Sequence, residues 1–370
     1  MSSVSIAKTA GKRIIYIDLL RIISIVAVIV LHISASLLTR TNDFSTTSWW
    51  VSNVFNSICR FAVPVFFMIS GAMILRSEVK SLKDFYLKRV WPLVVALLSW
   101  SLIYGLFYQY YLLKSDKNAL EFIADFGYKL LTDQNYVHLW FLYAIIAVYM
   151  TVPLISKFVK ACSEKDLRYY LLLWFVVSIL YRLVSDIVYR ATDQYLYIPS
   201  MNIPLFMGYL GYFILGYYLF HFELPTIWKH VLYNLGILSF VLTPVLTYGV
   251  SKLNGTLDEM FYGNYSITSF LMAVGLFLFF KEKDAAISRR TNDKVRRVIS
   301  SVSAASFSIY LVHLLVETMV ARSVGVEASF IETAGSLIFN LSAVFAVSYI
   351  AVKVLNLNRY VTAILFGGRG

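Results

Sequence analysis

Ten stretches of mostly apolar residues, each about as long as a bilayer core is thick, constrain this chain more than any other feature. A hydrocarbon core of roughly 30 Å is crossed by about 20 residues of helix. Runs of that kind lie near residues 14–38, 51–75, 90–112, 139–156, 169–189, 204–220, 231–251, 263–280, 299–321 and 332–352. The expected fold is all-α: a polytopic integral membrane helical bundle of about ten transmembrane helices. No internal repeat, low-complexity tract or soluble domain interrupts the pattern, so residues 1–370 read as one integral membrane domain.

The chain is 59% hydrophobic and 15% charged, with a mean hydropathy of +0.69, more apolar surface than a soluble core conceals. Its 27 Tyr, 27 Phe and 7 Trp suit rings placed at bilayer interfaces and between helices. A formal charge of +12 invites nucleic acid as a partner, but the basic residues fall in short clusters between apolar runs, which argues for orientation in a lipid bilayer instead. With the N terminus inside, 23 of the 33 Lys and Arg fall on inner segments, seven on outer loops and three within spans. That bias places both termini in the cytoplasm. Ile22–Leu31 followed by Ser34-Ala35-Ser36 also has the outline of a signal-peptide core and cleavage site, the weaker reading of the first run. In the long outer loop 113–138, apolar residues at 120, 123, 126, 130 and 131 fit an interfacial helix, a lid or a spacer. Cys59 and Cys162 offer neither a disulfide framework nor a ligand spacing, and no metal is expected.

Ionisable residues inside the runs are the candidates for function, since a charge in a span costs several kcal/mol. Asp18, Arg21 and His32 share one face of the first span, with Arg21 and His32 about 16 Å apart along the axis. Asp18 and Arg21 also suit a satisfied pair near the inner surface, whereas imidazole at His32 is suited to accept and return a proton. The second run carries Asn53, Asn56, Arg60, Phe67 and Gly71 at helical spacing, with Pro64 and Ser70-Gly71 as places to break or bend. In the ninth, Ser303, Ser306, Tyr310, His313 and Glu317 form a continuous polar face, either a seam between helices or a cavity wall. Arg182 and Asp186, four apart, read as an intrahelical ion pair. Lys88 and Arg89 in YLKRVWP stand at the inner mouth of the third run, where orientation alone also predicts basic residues.

In order, RIIYIDLLRIISIVAVIVLH, VPVFFMISGAMIL after Arg60, LKRVWP, HLWFLYAIIAVYMTVP and SFSIYLVHLLV resemble acyltransferase family 3, the integral membrane acyltransferases that modify bacterial surface glycans. The resemblance covers nearly the whole chain and is to the branch without an appended soluble esterase-like domain. It implies transfer of an acyl group, usually acetyl, from cytoplasmic acyl-CoA to a hydroxyl of a cell-surface polysaccharide or lipid-linked sugar, in a multi-pass protein of the bacterial cell (inner) membrane. It implies acetyl-CoA or another acyl-CoA as co-substrate, with no permanently bound cofactor. His32 and Arg21, with Asp18 behind them, match the family's essential pair and are the expected catalytic residues. Lys88, Arg89 and Arg60 are expected at the donor, and Ser70, Trp140, Tyr310, His313 and Glu317 at the substrates. A transporter or flippase for a glycan or lipid-linked sugar is the alternative that the polar stripes also fit.

Overall fold

The computed structural model describes residues 13–194, 196, 208–323 and 333–368, and every regular element among them is helical. We number them α1 (Ile15–Leu38), α2 (Thr47–Ile58), α3 (Ala62–Ile74), α4 (Leu82–Leu112), α5 (Ala119–Leu131), α6 (Trp140–Ala161), α7 (Glu164–Thr192), α8 (Leu210–His221), α9 (Thr226–Asn254), α10 (Ile267–Arg290), α11 (Asp293–Ser323), α12 (Ala334–Leu355) and α13 (Arg359–Phe366). Nine helical stretches among the described residues are long and apolar enough to cross a membrane, α2 and α3 counting as one. The sixth expected run is helical over Leu210–His221, and residues 204–207 lie outside the described residues. The protein is therefore a polytopic helical membrane protein, as expected.

Local sequence sets where the helices begin. Thr46, Asn118, Ser163, Ser266, Thr333 and Asn358 stand one residue before α2, α5, α7, α10, α12 and α13, and each side chain accepts a hydrogen bond from a first-turn amide. Asn118–Glu121 and Ser163–Asp166 complete reciprocal capping boxes. The second run behaves differently from a simple bend at Pro64 or Ser70-Gly71. It breaks at Cys59–Phe61, and Pro64 falls in the first turn of α3, where its missing N–H costs no helical bond. Gly71 is a contact point instead: a Cβ there would overlap the carbonyl oxygen of Phe213, and one at Gly216 would overlap that of Met68, so α3 and α8 touch backbone to backbone.

Helix α1 is the hub, packing on α2, α3, α10, α11 and α12. Helices α9 and α12 lie at the periphery and expose apolar side chains such as Ile237, Val241, Phe339 and Ile350, the surface a lipid solvent requires. At the N-terminal end of α1, Arg13 ties α1 to α11, its Nη2 donating to the Ser300 carbonyl at 2.8 Å and its Nε to Asp18 at 2.8 Å, while the Tyr16 amide donates to Asp284 at 3.2 Å. The loop 113–138 holds a helix, as its apolar spacing predicts. Leu120, Ile123 and Leu131 face outward, and Phe122 and Phe126 turn inward toward Gly105 of α4.

Candidate active site

Three histidines, two from helices and one from a turn, meet in the half of the bundle that the charge bias assigns to the outside. His32 comes from α1, His313 from α11, and His138 from the residues just before α6. Their ring centroids are 5.2 Å apart for His32–His313, 5.4 Å for His138–His313 and 6.4 Å for His32–His138. His138 and His313 are fully buried. The Nδ1 of His313 lies 2.6 Å from the Tyr310 carbonyl, which can only accept, so Nδ1 carries the proton and Nε2 is left as a lone-pair acceptor. Among the described residues Nε2 has no partner, nor has either ring nitrogen of His138 or Oε2 of Glu317. Buried polar atoms of this kind normally find partners, and a cluster of them marks a site that awaits polar groups from elsewhere.

His32 lies on the wall between two cavities. The larger, about 1030 Å³, is lined by Arg60, Trp140, Tyr262 and Tyr310 near His32 and opens past Arg182, Asp186, Arg190 and Asp258. The second, about 630 Å³, lies beneath α5, with Tyr104, Tyr108, Phe122, Phe126 and Glu317 among its walls. His32, Ala35, Thr39 and Val137 border both.

Arg60 is fixed at the α2–α3 break. Its Nη1 donates to the Tyr262 carbonyl at 2.9 Å, its Nη2 donates to Asn56, and its guanidinium lies 3.9 Å above the Tyr262 ring. Asn56 in turn donates to the Leu31 carbonyl at 3.0 Å and to Ser34 at 2.8 Å, which sets Arg60 relative to the turn of α1 that carries His32. Trp140 stacks 5.7 Å from Tyr209, itself stacked 4.3 Å from Phe67. The hydroxyl of Tyr310 donates to the His138 carbonyl. Arg182 and Asp186 form the expected ion pair, with Nε 2.9 Å and 3.0 Å from the two carboxylate oxygens, and both line the mouth of the larger cavity.

The expected site residues divide into two groups. His32, Arg60, Trp140 and Tyr310 border one cavity, His32 and Glu317 the other, and His313 packs directly on His32. Asp18 is elsewhere: fourteen residues before His32, about 21 Å along α1, its buried carboxylate accepts from Arg13 and, at 2.6 Å, from Ser303. Arg21 is half-buried in the same inner half of α1. Lys88 and Arg89 are exposed at the start of α4, Lys88 within 3.7 Å of Asp84, about 24 Å along that helix from Tyr104. Arg60 is thus grouped with His32 and not with Lys88 and Arg89. Ser70 borders neither cavity.

Sequence reasoning missed His138, Tyr104 and Tyr262. His138 had a signal, since it heads the HLWFL motif and the chain has only five histidines. Tyr104 and Tyr262 had none, being two among 27 tyrosines.

Helices of spanning length around a buried imidazole cluster, reached by two cavities, define a polytopic membrane protein with its reactive groups inside the bundle. Residues 14–353 match the family model described as an acyltransferase domain, and the chain belongs to acyltransferase family 3. It is a membrane acyltransferase. No curated protein and no solved structure matches it significantly.

Proposed function

We propose that this protein transfers an acyl group, from acetyl upward, from cytoplasmic acyl-CoA to a hydroxyl of a cell-surface polysaccharide or lipid-linked sugar in the bacterial cell membrane. The observation that carries this reading is the position of His32, where a wide, polar-mouthed cavity meets a second, aromatic one. Alternating Arg and Asp side chains at the mouth and Trp140 and Tyr262 deeper in suit a hydroxyl-rich acceptor with apolar ring faces. Exposed Lys88 and Arg89 at the start of α4 suit the phosphates of the donor, and Arg21, eleven residues before His32 on α1, suits its thioester arm.

In the reaction, the acceptor oxygen attacks the thioester carbonyl while His32 takes its proton as general base, a contribution of about 10² to 10⁴ in rate. The C–O bond forms, the C–S bond breaks, and the proton passes to the departing CoA thiolate. His313, whose Nε2 is an open acceptor in the same cluster, is suited to hold that proton or orient His32. The guanidinium of Arg60, whose Nε has no partner among the described residues, is a donor for the developing oxyanion.

The test is transfer of radiolabel from acetyl-CoA to membrane or surface glycan by wild type and by His32→Ala at equal expression. Label that disappears in the variant supports the proposal. Equal labelling in both removes His32 as catalyst, and glycan movement without acyl consumption would favour a transporter.

A further inference from the structure

We propose that the cavity under α5 is the pocket for the apolar part of the acyl group, and that this enzyme prefers acyl chains of several carbons to acetyl. The proposal rests on the acyl-transfer reading of His32.

Acyl transfer brings two chemically different partners to one imidazole, and the two cavities that meet at His32 differ in the same sense. The larger is ringed by ionised side chains. The smaller presents mainly rings and hydrocarbon: Tyr104, Tyr108, Phe122, Phe126, Tyr136 and Leu314. Several polar side chains around it are engaged elsewhere, while Ser101 Oγ and Glu317 Oε2 have no partner among the described residues. The Tyr104 hydroxyl donates to the Leu311 carbonyl at 2.8 Å and accepts from the Leu315 amide at 3.2 Å, leaving its ring face to the cavity. Asp125 pairs with Lys129 at 2.9 Å and with Lys117 at 3.3 Å, and Asn135 donates to Tyr143 at 2.7 Å. A volume of about 630 Å³ is far more than a two-carbon group fills and falls in the range of pockets that enclose whole small ligands.

The roof is built to leave this room. Gly105 faces the underside of α5, where an added Cβ would stand 3.6 Å from Phe122 and 3.9 Å from Phe126, in ordinary contact, so Ala fits and a longer side chain would extend into the space. Each methylene transferred from water into such a pocket raises kcat/KM about threefold to fourfold. For four additional methylenes the expected preference is on the order of a hundredfold.

The experiment measures His32-dependent release of CoA thiol by the purified full chain in proteoliposomes with bacterial lipid extract as acceptor source, using acetyl-, butyryl-, hexanoyl- and octanoyl-CoA. Wild type and Gly105→Leu are compared, with His32→Ala as the blank and size-exclusion profiles as the check on folding. The proposal expects kcat/KM to rise with chain length in wild type and the hexanoyl-to-acetyl ratio to fall at least tenfold in Gly105→Leu. His32-dependent turnover that is best with acetyl-CoA and keeps the same chain-length profile in Gly105→Leu overturns the pocket while leaving the acyl-transfer reading standing. No His32-dependent turnover with any donor overturns both.

Discussion

His32 and His313, from the first and the eleventh helix, face each other with ring centroids 5.2 Å apart. With Nδ1 of His313 committed to the Tyr310 carbonyl, Nε2 is the part of that ring free to act. His313→Asn keeps a donor near the Nδ1 position and removes Nε2. We expect it to lower kcat about tenfold to a hundredfold with little change in acceptor KM, against the larger loss of about 10² to 10⁴ in His32→Ala. Unaltered kcat in His313→Asn would assign that ring to packing alone.

Arg60 combines a hydrogen bond to Tyr262, one to Asn56 and a stacked ring face. Lysine carries the charge but neither the planar fork nor the stack. Arg60→Lys is therefore expected to lose most activity, as Arg60→Ala does, while Asn56→Ala both destabilises the fold by about 1–3 kcal/mol and weakens activity by freeing Arg60. Thermal unfolding in detergent and initial rates, measured on the same preparations, separate the two effects. Full activity in Arg60→Lys would show that charge alone suffices.

Asp18 is expected to act through the fold. Its carboxylate joins Arg13 and Ser303, closing α1 against α11 at the inner end, about 21 Å along the helix from His32. Asp18→Asn weakens a charge-assisted pair of bonds and is expected to cost about 1–3 kcal/mol of stability. Per folded molecule, the pH profile of turnover is expected to stay that of wild type. A shifted profile would give Asp18 a part in the chemistry.

How much of this was legible in the sequence depended on the range of the interactions involved. Spans are local, because a bilayer demands about 20 apolar residues in succession, and nine of the ten runs reappear as helices of spanning length. Polar faces are local too: of the stripe in the ninth run, Tyr310 lines the larger cavity and Glu317 the smaller, while His313 packs on His32. Partnership across helices is not local. Asp18 lies three residues from Arg21, yet its carboxylate is engaged by Arg13 and Ser303. Arg60 is expected at the donor, and only the packing shows that the break at Cys59–Phe61 brings it to Tyr262 and the larger cavity beside His32. His138 stands outside the apolar runs, so a search for polar residues within spans passes over it.

The α3–α8 crossing gives a prediction about folding that does not involve the site. Gly71 and Gly216 each face the other helix's backbone, where any Cβ overlaps a carbonyl group that cannot move aside as a side-chain tip would. Gly71→Ala or Gly216→Ala must push the helices apart along a seam that includes buried Phe67, Met68, Phe213 and Tyr212. Overpacking of this kind costs about 1–3 kcal/mol or more. We expect loss of the monodisperse peak in size exclusion for either variant, whereas Gly249→Ala, which meets open space, should behave as wild type. A well-folded Gly71→Ala protein would mean that the crossing is looser than this geometry.

The order of α5 as a helix should depend on acid in a defined direction. The hydrogen bond from Lys129 holds the Asp125 carboxyl below the usual carboxylate range against the opposing effect of burial, with Lys117 adding to it. A group whose pKa is depressed by folding contributes fully above its unfolded value, near about 4, and loses that contribution as the pH falls through the folded value. The pair is therefore intact at neutral pH and weakens only in acid. A nitroxide spin label at an exposed position of the helix, introduced by Leu131→Cys, should report constant mobility from pH 7 to about pH 5 and rising mobility below about pH 4. Adding Asp125→Asn should produce the mobile spectrum already at pH 7. A label whose spectrum ignores both acid and Asp125→Asn would show that Phe122 and Phe126, through their contacts beneath the helix, keep α5 ordered without the ion pair.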